Sequence, residues 1–373
     1  MKSNWKECSL GDLITFQRGH DLPKSKMNFG CYPVVGSNGV IGYHDKYTTE
    51  APSITIGRSG NVGNPYIVYG KTWSHNTTLY IKDFKGNDPV FIFYLLKIMD
   101  LANYAGGSAV PTLNRNHIHT LPICVPSSVK EQNKIGRCLR LFDEKIELNM
   151  NINKNLEQQA QAYFDKLFVA NADPNWPECA LSDVGSIVAG GTPSKSKVEY
   201  YADHGIAWIT PKDLSVDKSK FISHGENDIS ELGLTKSSAT KMPVGTVLFS
   251  SRAPIGYIAI AQNEVTTNQG FKSVIPNENI GTAYVYFLLK NLLPTIEGMA
   301  SGSTFKEISG AGMKSVPTVM PDTDTIQLFR SFCEPLFKEQ EVLEAENKHL
   351  SALRDSLLPK LMSGEIDVSD LDL

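Results

Sequence analysis

Two arginines in polar turns are the residues of this sequence whose type and setting best suit work on another molecule. Ile56-Gly-Arg58-Ser-Gly-Asn-Val-Gly63 and Ser250-Ser-Arg252-Ala-Pro-Ile-Gly256 each carry a strand-like apolar run into a turn around one arginine. A guanidinium offers a rigid planar fork of donors that fits a guanine edge or a phosphate. Around the two turns, Ser59, Asn61, His75, Asn76, Asn268, Gln269 and Lys272 supply hydroxyl, amide and amino groups that read base edges or hold phosphates. Asn114 and Arg115, in Asn114-Arg-Asn-His117, and Ser303, Thr304 and Lys306, in Gly302-Ser-Thr-Phe-Lys306, extend the set. Each has a structural alternative. An arginine can pin its own loop to a carboxylate, Asn114–His117 can be a solvated turn before a strand at Leu121, and Ser303, Thr304 and Lys306 can serve helix capping.

Chemistry of other kinds finds little support. The stretch from Gly63 to Gly70-Lys71-Thr72 resembles a phosphate loop, but Pro65 stands where glycine is needed and donates no amide. Asp173-Pro174-Asn175-Trp176 lacks the second proline and the tyrosine of the Asp-Pro-Pro-Tyr motif of amino methyltransferases, and no glycine-rich cofactor loop precedes it. The 8 histidines include no His-x-x-x-His pair, and the 6 cysteines no Cys-x-x-Cys, so no metal site, disulfide framework or cofactor is assigned to this chain. Met1 to Gly19 mixes charges and has no signal-peptide run, no stretch is long enough to span a bilayer, and a cytoplasmic location is expected. The net charge of −4 is unevenly spread: residues 322–373 hold 12 acidic and 5 basic side chains, leaving +3 for residues 1–321. A mildly basic remainder permits phosphate-binding patches without announcing them.

What positions the arginine turns is a repeat of the whole architecture. Trp5-Lys-Glu-Cys-Ser-Leu-Gly-Asp12 is echoed by Trp176-Pro-Glu-Cys-Ala-Leu-Ser-Asp183, each leading to a glycine, Gly19 or Gly190. The helical Phe91–Lys97 matches Tyr284–Lys290, Gly107-Ser108 matches Gly302-Ser303, and the strand-like Leu121–Pro126 matches Val316–Pro321. Order is kept throughout, at a period of roughly 170 to 195 residues, which means two homologous domains rather than a solenoid.

A long helical pattern follows each copy. Ser128 and Glu131 read as a capping box. Ile135, Leu139, Phe142, Ile146, Asn149, Asn153, Leu156, Ala160, Tyr163 and Leu167 then step by four and three, a coiled-coil seam interrupted by two asparagines. In the second copy Leu336, Leu343, Leu350 and Leu357 stand seven apart before Ser363-Gly364, and Pro335 is expected to kink or restart the helix so that the regular seam begins there. A helix from Ser128 to Phe168 is about 60 Å long at about 1.5 Å per residue, a spacer rather than a core element. A two-fold-like arrangement pairs the two helices antiparallel within the chain; the alternative is an ordinary dimerisation coiled coil. Asn149 and Asn153 fix register in either case, with Gln340 and Asn347 as candidate partners.

Over essentially its full length the sequence resembles the specificity subunits of type I restriction-modification systems. The resemblance rests on Trp5 to Gly19, the passage from Gly107-Ser108 to Pro126 ending in Lys130-Glu-Gln132, Ser250 to Gly256, Thr267-Asn-Gln-Gly-Phe-Lys272, Gly302 to Lys306, and Leu353 to Ile366. It implies an α+β fold of two homologous mixed α/β target-recognition domains separated by two long antiparallel coiled-coil helices, with an internal pseudo-two-fold. The boundaries expected are 1–126 and 172–321 for the domains, 127–171 for the first helix, and 322–373 for the second helix with an acidic tail. It further implies a non-catalytic subunit that reads a split, asymmetric site in double-stranded DNA. Two methyltransferase subunits and ATP-driven restriction subunits would be its partners, and S-adenosylmethionine, ATP and Mg would belong to them alone. Thr323-Asp-Thr-Ile-Gln327 departs from Ser128-Val-Lys-Glu-Gln132 except at the glutamine, which puts the second helix cap in doubt. Two other functions stay open: a self-contained DNA methyltransferase, which would bind S-adenosylmethionine alone, and a coiled-coil scaffold, which would leave the duplicated arginine turns unexplained.

Overall fold

A computed structural model describes residues 4–107, 111–302 and 306–372. The chain divides into two compact units, Met1–Glu147 with Lys348–Leu373, and Leu148–Asn347, here called unit 1 and unit 2. Neither long helix stands apart as a separate segment, since each unit holds a stretch of both.

In unit 1 an antiparallel sheet runs in the order Thr15–Arg18, Thr78–Asp83, Ser53–Gly57 and Pro65–Val68, and a second sheet groups Gly39–His44, Tyr32–Gly36 and Trp73–Ser74. Trp5–Ser9 pairs with Pro122–Pro126, which brings the start of the repeat to its end. The helix Pro89–Ile98 buries its six residues Phe91 to Leu96 on the sheet, and Asp88 caps it. Ile135 and Leu139 from the first long helix and Leu358, Leu361 and Met362 from the second close the same core.

Unit 2 repeats the plan with one more strand in each of its two larger sheets. Its main sheet runs Gly185–Ala189, Lys272–Pro276, Val247–Ser251, Ile255–Ala261 and Phe221–Ile222, and a second sheet holds Tyr201–Ala202, Asn227–Ile229, Ile206–Ile209 and Thr266–Thr267. Glu178–Ala180 pairs with Pro317–Val319 as Trp5–Ser9 does with its own closing strand. Ala160 and Phe164 of the first long helix and Phe329, Cys333 and Phe337 of the second are buried in this core.

The first long helix spans Val129–Asp165 and ends in a π-helical turn, Lys166–Ala170. The expected box at its start is not formed: Glu131 turns its carboxylate to Trp5, whose Nε1 donates to it at 3.2 Å. Gln132, 1% exposed, instead binds the helix start to the core, accepting from the Asp88 amide at 3.1 Å and donating to the Pro126 carbonyl at 3.1 Å. The second long helix also departs from expectation, running unbroken from Thr323 to Met362 through Pro335. Proline forfeits one backbone bond, while the buried Phe329, Cys333 and Phe337 on either side hold the turn in place. Its cap is Asp322, which accepts from the Thr325 amide at 2.8 Å and from Trp176 Nε1 at 3.1 Å.

Within each unit the two helix stretches run antiparallel. In unit 1 Asp143 meets Arg354. In unit 2 Asn149 Nδ2 donates to Asn347 Oδ1 at 3.0 Å and Gln340 Nε2 to the Asn153 carbonyl at 3.0 Å, while Tyr163 packs on Phe332 at 4.4 Å. Asn149, Leu139 and Leu343 are buried along the seam, and Phe142, Ile146, Asn153, Leu156, Leu336, Asn347, Leu350 and Leu357 are half-buried. Among the described residues no helix is long and apolar enough to cross a membrane.

Candidate nucleic-acid interface

A common set of backbone hydrogen bonds builds one polar rim in each unit. In unit 1 the Arg58 amide donates to the Thr77 carbonyl at 2.8 Å, and the Arg58 carbonyl accepts from Leu113 at 2.9 Å. In unit 2 the Ser251 amide donates to the Gly270 carbonyl at 2.7 Å, and the Ser251 carbonyl accepts from Ile308 at 3.1 Å. His75 donates to Val35 at 2.9 Å as Asn268 does to Ile209 at 3.0 Å. The correspondence extends to side chains: Asn76 bonds to Asp21 in unit 1, and Thr192 to Gln269 in unit 2.

These bonds correct the match between the arginines. The structural counterpart of Arg58 is Ser251, and that of Arg252 is Ser59, because Ser59 bridges Thr112 where Arg252 bridges Glu307. The turns coincide and the guanidiniums are one residue out of step. Their surroundings differ too. Arg252 Nη1 lies 3.3 Å from Glu307 Oε2, whereas Arg58 has no carboxylate partner among the described residues.

Around Arg58 the structure gathers Ser59, His75 and Asn76. Thr77 links them, its hydroxyl 3.0 Å from His75 Nδ1 and accepting from the Ser37 amide at 3.3 Å. Ser37 and Thr77 escaped the sequence reading; the Gly36-Ser-Asn-Gly39 turn was the signal for the first. Gly60, at φ +86, lets that turn approach, since a Cβ there would stand 3.1 Å from Ser37 Oγ. Asn61 accepts from Asn64 in the same loop. Asn114 caps the short helix Arg115–His119, accepting from the Asn116 amide at 3.0 Å, and leaves Arg115 exposed. His119 is bound inward, its Nε2 accepting from the Phe16 amide at 3.0 Å, and burial lowers its pKa.

In unit 2 the rim encloses a cleft of about 480 Å³ whose lining includes Lys195, Trp208, Lys212, Arg252, Asn268 and Gln269. Asn268 Oδ1 accepts from the Gly270 amide at 2.8 Å, which sets the turn. Lys212 pairs with Glu226 at 2.6 Å, and that bond raises its pKa. Lys272 faces inward, 8% exposed, within 3.6 Å of Glu307 and 3.5 Å of Ser251 Oγ, the place of a loop tie rather than of a group reaching outward. Lys306 is exposed, and Ser303 and Thr304 lie outside the described residues. Sequence reasoning missed Lys195, Trp208 and Lys212, which come to the rim from a loop, the strand Ile206–Ile209 and the short helix Pro211–Val216, all distant in the chain from Arg252.

A model of the type I restriction modification DNA specificity domain matches residues 2–158 and again 174–350. The MjaIX type I restriction enzyme specificity subunit of Methanocaldococcus jannaschii is 35% identical over 190 residues, which cover 48% of this chain and 44% of that relative's length. The HindI specificity subunit of Haemophilus influenzae is 25% identical over 359 residues, covering 74% of this chain and 77% of that one. Among solved structures, the type I restriction-modification S subunit from M. genitalium superposes with a TM-score of 0.65 at 20% identity, covering 96% of both chains, a likeness of fold.

Proposed function

We propose a function from one premise: this chain belongs to the type I restriction modification DNA specificity family, with two copies of the family's domain in one polypeptide. It reads a split, asymmetric site in double-stranded DNA, one unit per half-site, and the two long helices set the gap. The observation that carries this reading is the pair of rims, alike in backbone bonding and different in side chains: Arg58, Ser59, His75 and Asn76 stand where Ser251, Arg252, Asn268 and Gln269 stand. Base edges are distinguished by the donors and acceptors presented to them, so two frames with unlike side chains suit two unlike sequences. Duplex DNA has local two-fold axes between its strands, which a protein with an internal two-fold can match.

The chemistry then lies with partners: two adenine methyltransferase subunits, and restriction subunits in a full complex, which bring S-adenosylmethionine, ATP and Mg. The test is to co-express the chain with its neighbouring methyltransferase and map methylated adenines. A split motif with a constant gap is expected, and replacing one unit's recognition domain by a relative's should change one half of it. A motif untouched by the exchange would favour a scaffold, and methylation by the chain alone a self-contained enzyme.

A further inference from the structure

We infer that each unit carries a dedicated phosphate-binding loop, Lys24-Ser25-Lys26 in unit 1 and Lys195-Ser196-Lys197 in unit 2, that takes the DNA backbone without regard to base sequence. This rests on the DNA-reading function proposed above and adds a second class of contact to it.

The two loops leave the rim from the same place. Gly19 donates to the Thr78 carbonyl at 3.0 Å and Gly190 to the Phe271 carbonyl at 3.3 Å; the next residues, His20 and Gly191, donate to Ser74 and Thr267 at 2.8 Å each. One residue further, Asp21 and Thr192 make the side-chain bonds to Asn76 and Gln269. The following residue, Leu22 or Pro193, is buried and anchors the loop. Counted from these shared bonds, Lys24 falls on Lys195, Ser25 on Ser196 and Lys26 on Lys197.

No folding role accounts for the repetition. All four lysines are exposed. Lys24, Lys26 and Lys195 have no carboxylate partner among the described residues, and Lys197 has only Glu199 at 3.9 Å, with both side chains more than half exposed. Such a contact contributes little to stability. Base reading does not account for it either, because the neighbouring rim positions have diverged between the copies, Asn76 to Gln269 and His75 to Asn268. What two half-sites of different sequence share is the phosphodiester backbone, and a lysine is a compact charge on a long stem suited to it. Lys195 also lines the cleft that holds Arg252 and Gln269, so a backbone held there lies beside the groups that face bases.

The experiment compares the full chain, co-expressed with its methyltransferase, against Lys24→Ala/Lys26→Ala, Lys195→Ala/Lys197→Ala and the matching Lys→Arg pairs. Each is titrated with a duplex carrying the mapped site and with a scrambled duplex, over a range of salt. Each alanine pair should weaken binding to both duplexes equally and lower the slope of log K against log salt by about 2, about 1 per lysine. The arginine pairs should restore the slope, and the methylated motif should stay the same. An unchanged slope, or an altered motif, overturns the inference. If wild-type protein binds both duplexes alike while the slope still falls, it is the sequence-reading function that fails and the loops stand.

Discussion

Unit 1 leaves its arginine free at the rim and unit 2 ties its own down. Arg58 meets no carboxylate among the described residues, while Arg252, one position on in the shared frame, is held by Glu307, whose place in unit 1 is taken by Thr112. A second difference lies where each unit grips the helices. In unit 2 the Lys220 ammonium is 6% exposed, pairs with Glu157, donates to Gln340 Oε1 at 2.6 Å and sits 3.9 Å from the ring centre of Phe337. In unit 1 Asp143, 15% exposed, faces Arg354, the Tyr94 hydroxyl and, at 4.0 Å, Lys97. The rims share a backbone frame with unlike side chains, whereas each helix grip keeps a matching lysine, Lys97 or Lys290, on a half-buried carboxylate and otherwise uses different partners. Unlike side chains on one frame are what the proposed reading of two different half-sites requires.

The largest expected effect tests the grip. Glu157→Ala removes the carboxylate paired with the Lys220 ammonium, leaving it among aromatic rings with the neutral Gln340 amide oxygen, and should cost about 3–5 kcal/mol in denaturant unfolding, the usual loss when one partner of a buried pair is removed. Asp143→Ala should cost less, because Arg354, 18% exposed, keeps Asp355 at 2.8 Å as a second partner. Equal losses would erase the contrast. pH sharpens it. Burial acts to raise the Glu157 carboxyl, but Lys220 and Lys290 outweigh burial and hold it below its ordinary 4.5. A carboxylate lowered in the folded state stabilises the fold above its ordinary range and loses that contribution as pH falls toward the folded value. The acid limb of the stability curve should therefore flatten in Glu157→Gln, and an unchanged limb would count against the pair.

Arg58→Ala comes next. With no structural tie to lose, it should leave unfolding stability within about 0.5 kcal/mol of wild type and weaken DNA binding by about 1–3 kcal/mol, with discrimination lost in one half-site only. A fold destabilised by this change, or loss in both half-sites, would break the contrast from the other side.

The duplication was legible because it is written in residues that serve the backbone and core: the tryptophans that staple each helix start, the apolar helix Pro89–Ile98 and its partner Thr282–Met299, and the leucine seam. The contact of Asn149 with Asn347 was legible for the same reason, since heptad spacing dictates which side chains meet across the seam, whereas Gln340 reaches the main-chain carbonyl of Asn153 rather than its side chain. Local rules failed where burial overrode them: Pro335 stays within a helix, and Glu131 abandons Ser128 for Trp5. The frame of the rim was not legible at all. Turns of unequal length let two arginines align in sequence, and only the bonds to Thr77 and Gly270 reveal the offset of one. Ser37, Thr77 and Lys212 reach the rim through long-range strand pairing that no spacing announces.

The smallest expected effect is the most discriminating for unit 2. Arg252 and Glu307 are both more than a third exposed, at 37% and 36%, so a double-mutant cycle on unfolding should give a coupling of about 0.2–1 kcal/mol. Their effects on recognition should part company. If the guanidinium also reaches DNA, Arg252→Ala relaxes one half-site, whereas Glu307→Ala, which frees the guanidinium, keeps that half-site's motif and binds at least as tightly. If Arg252 serves its loop alone, both substitutions lose the same small stability and leave the methylated motif as it was. Unit 2 would then read its half-site through Asn268, Gln269 and Lys212. The contrast with Arg58 would extend from how an arginine is held to whether one is used.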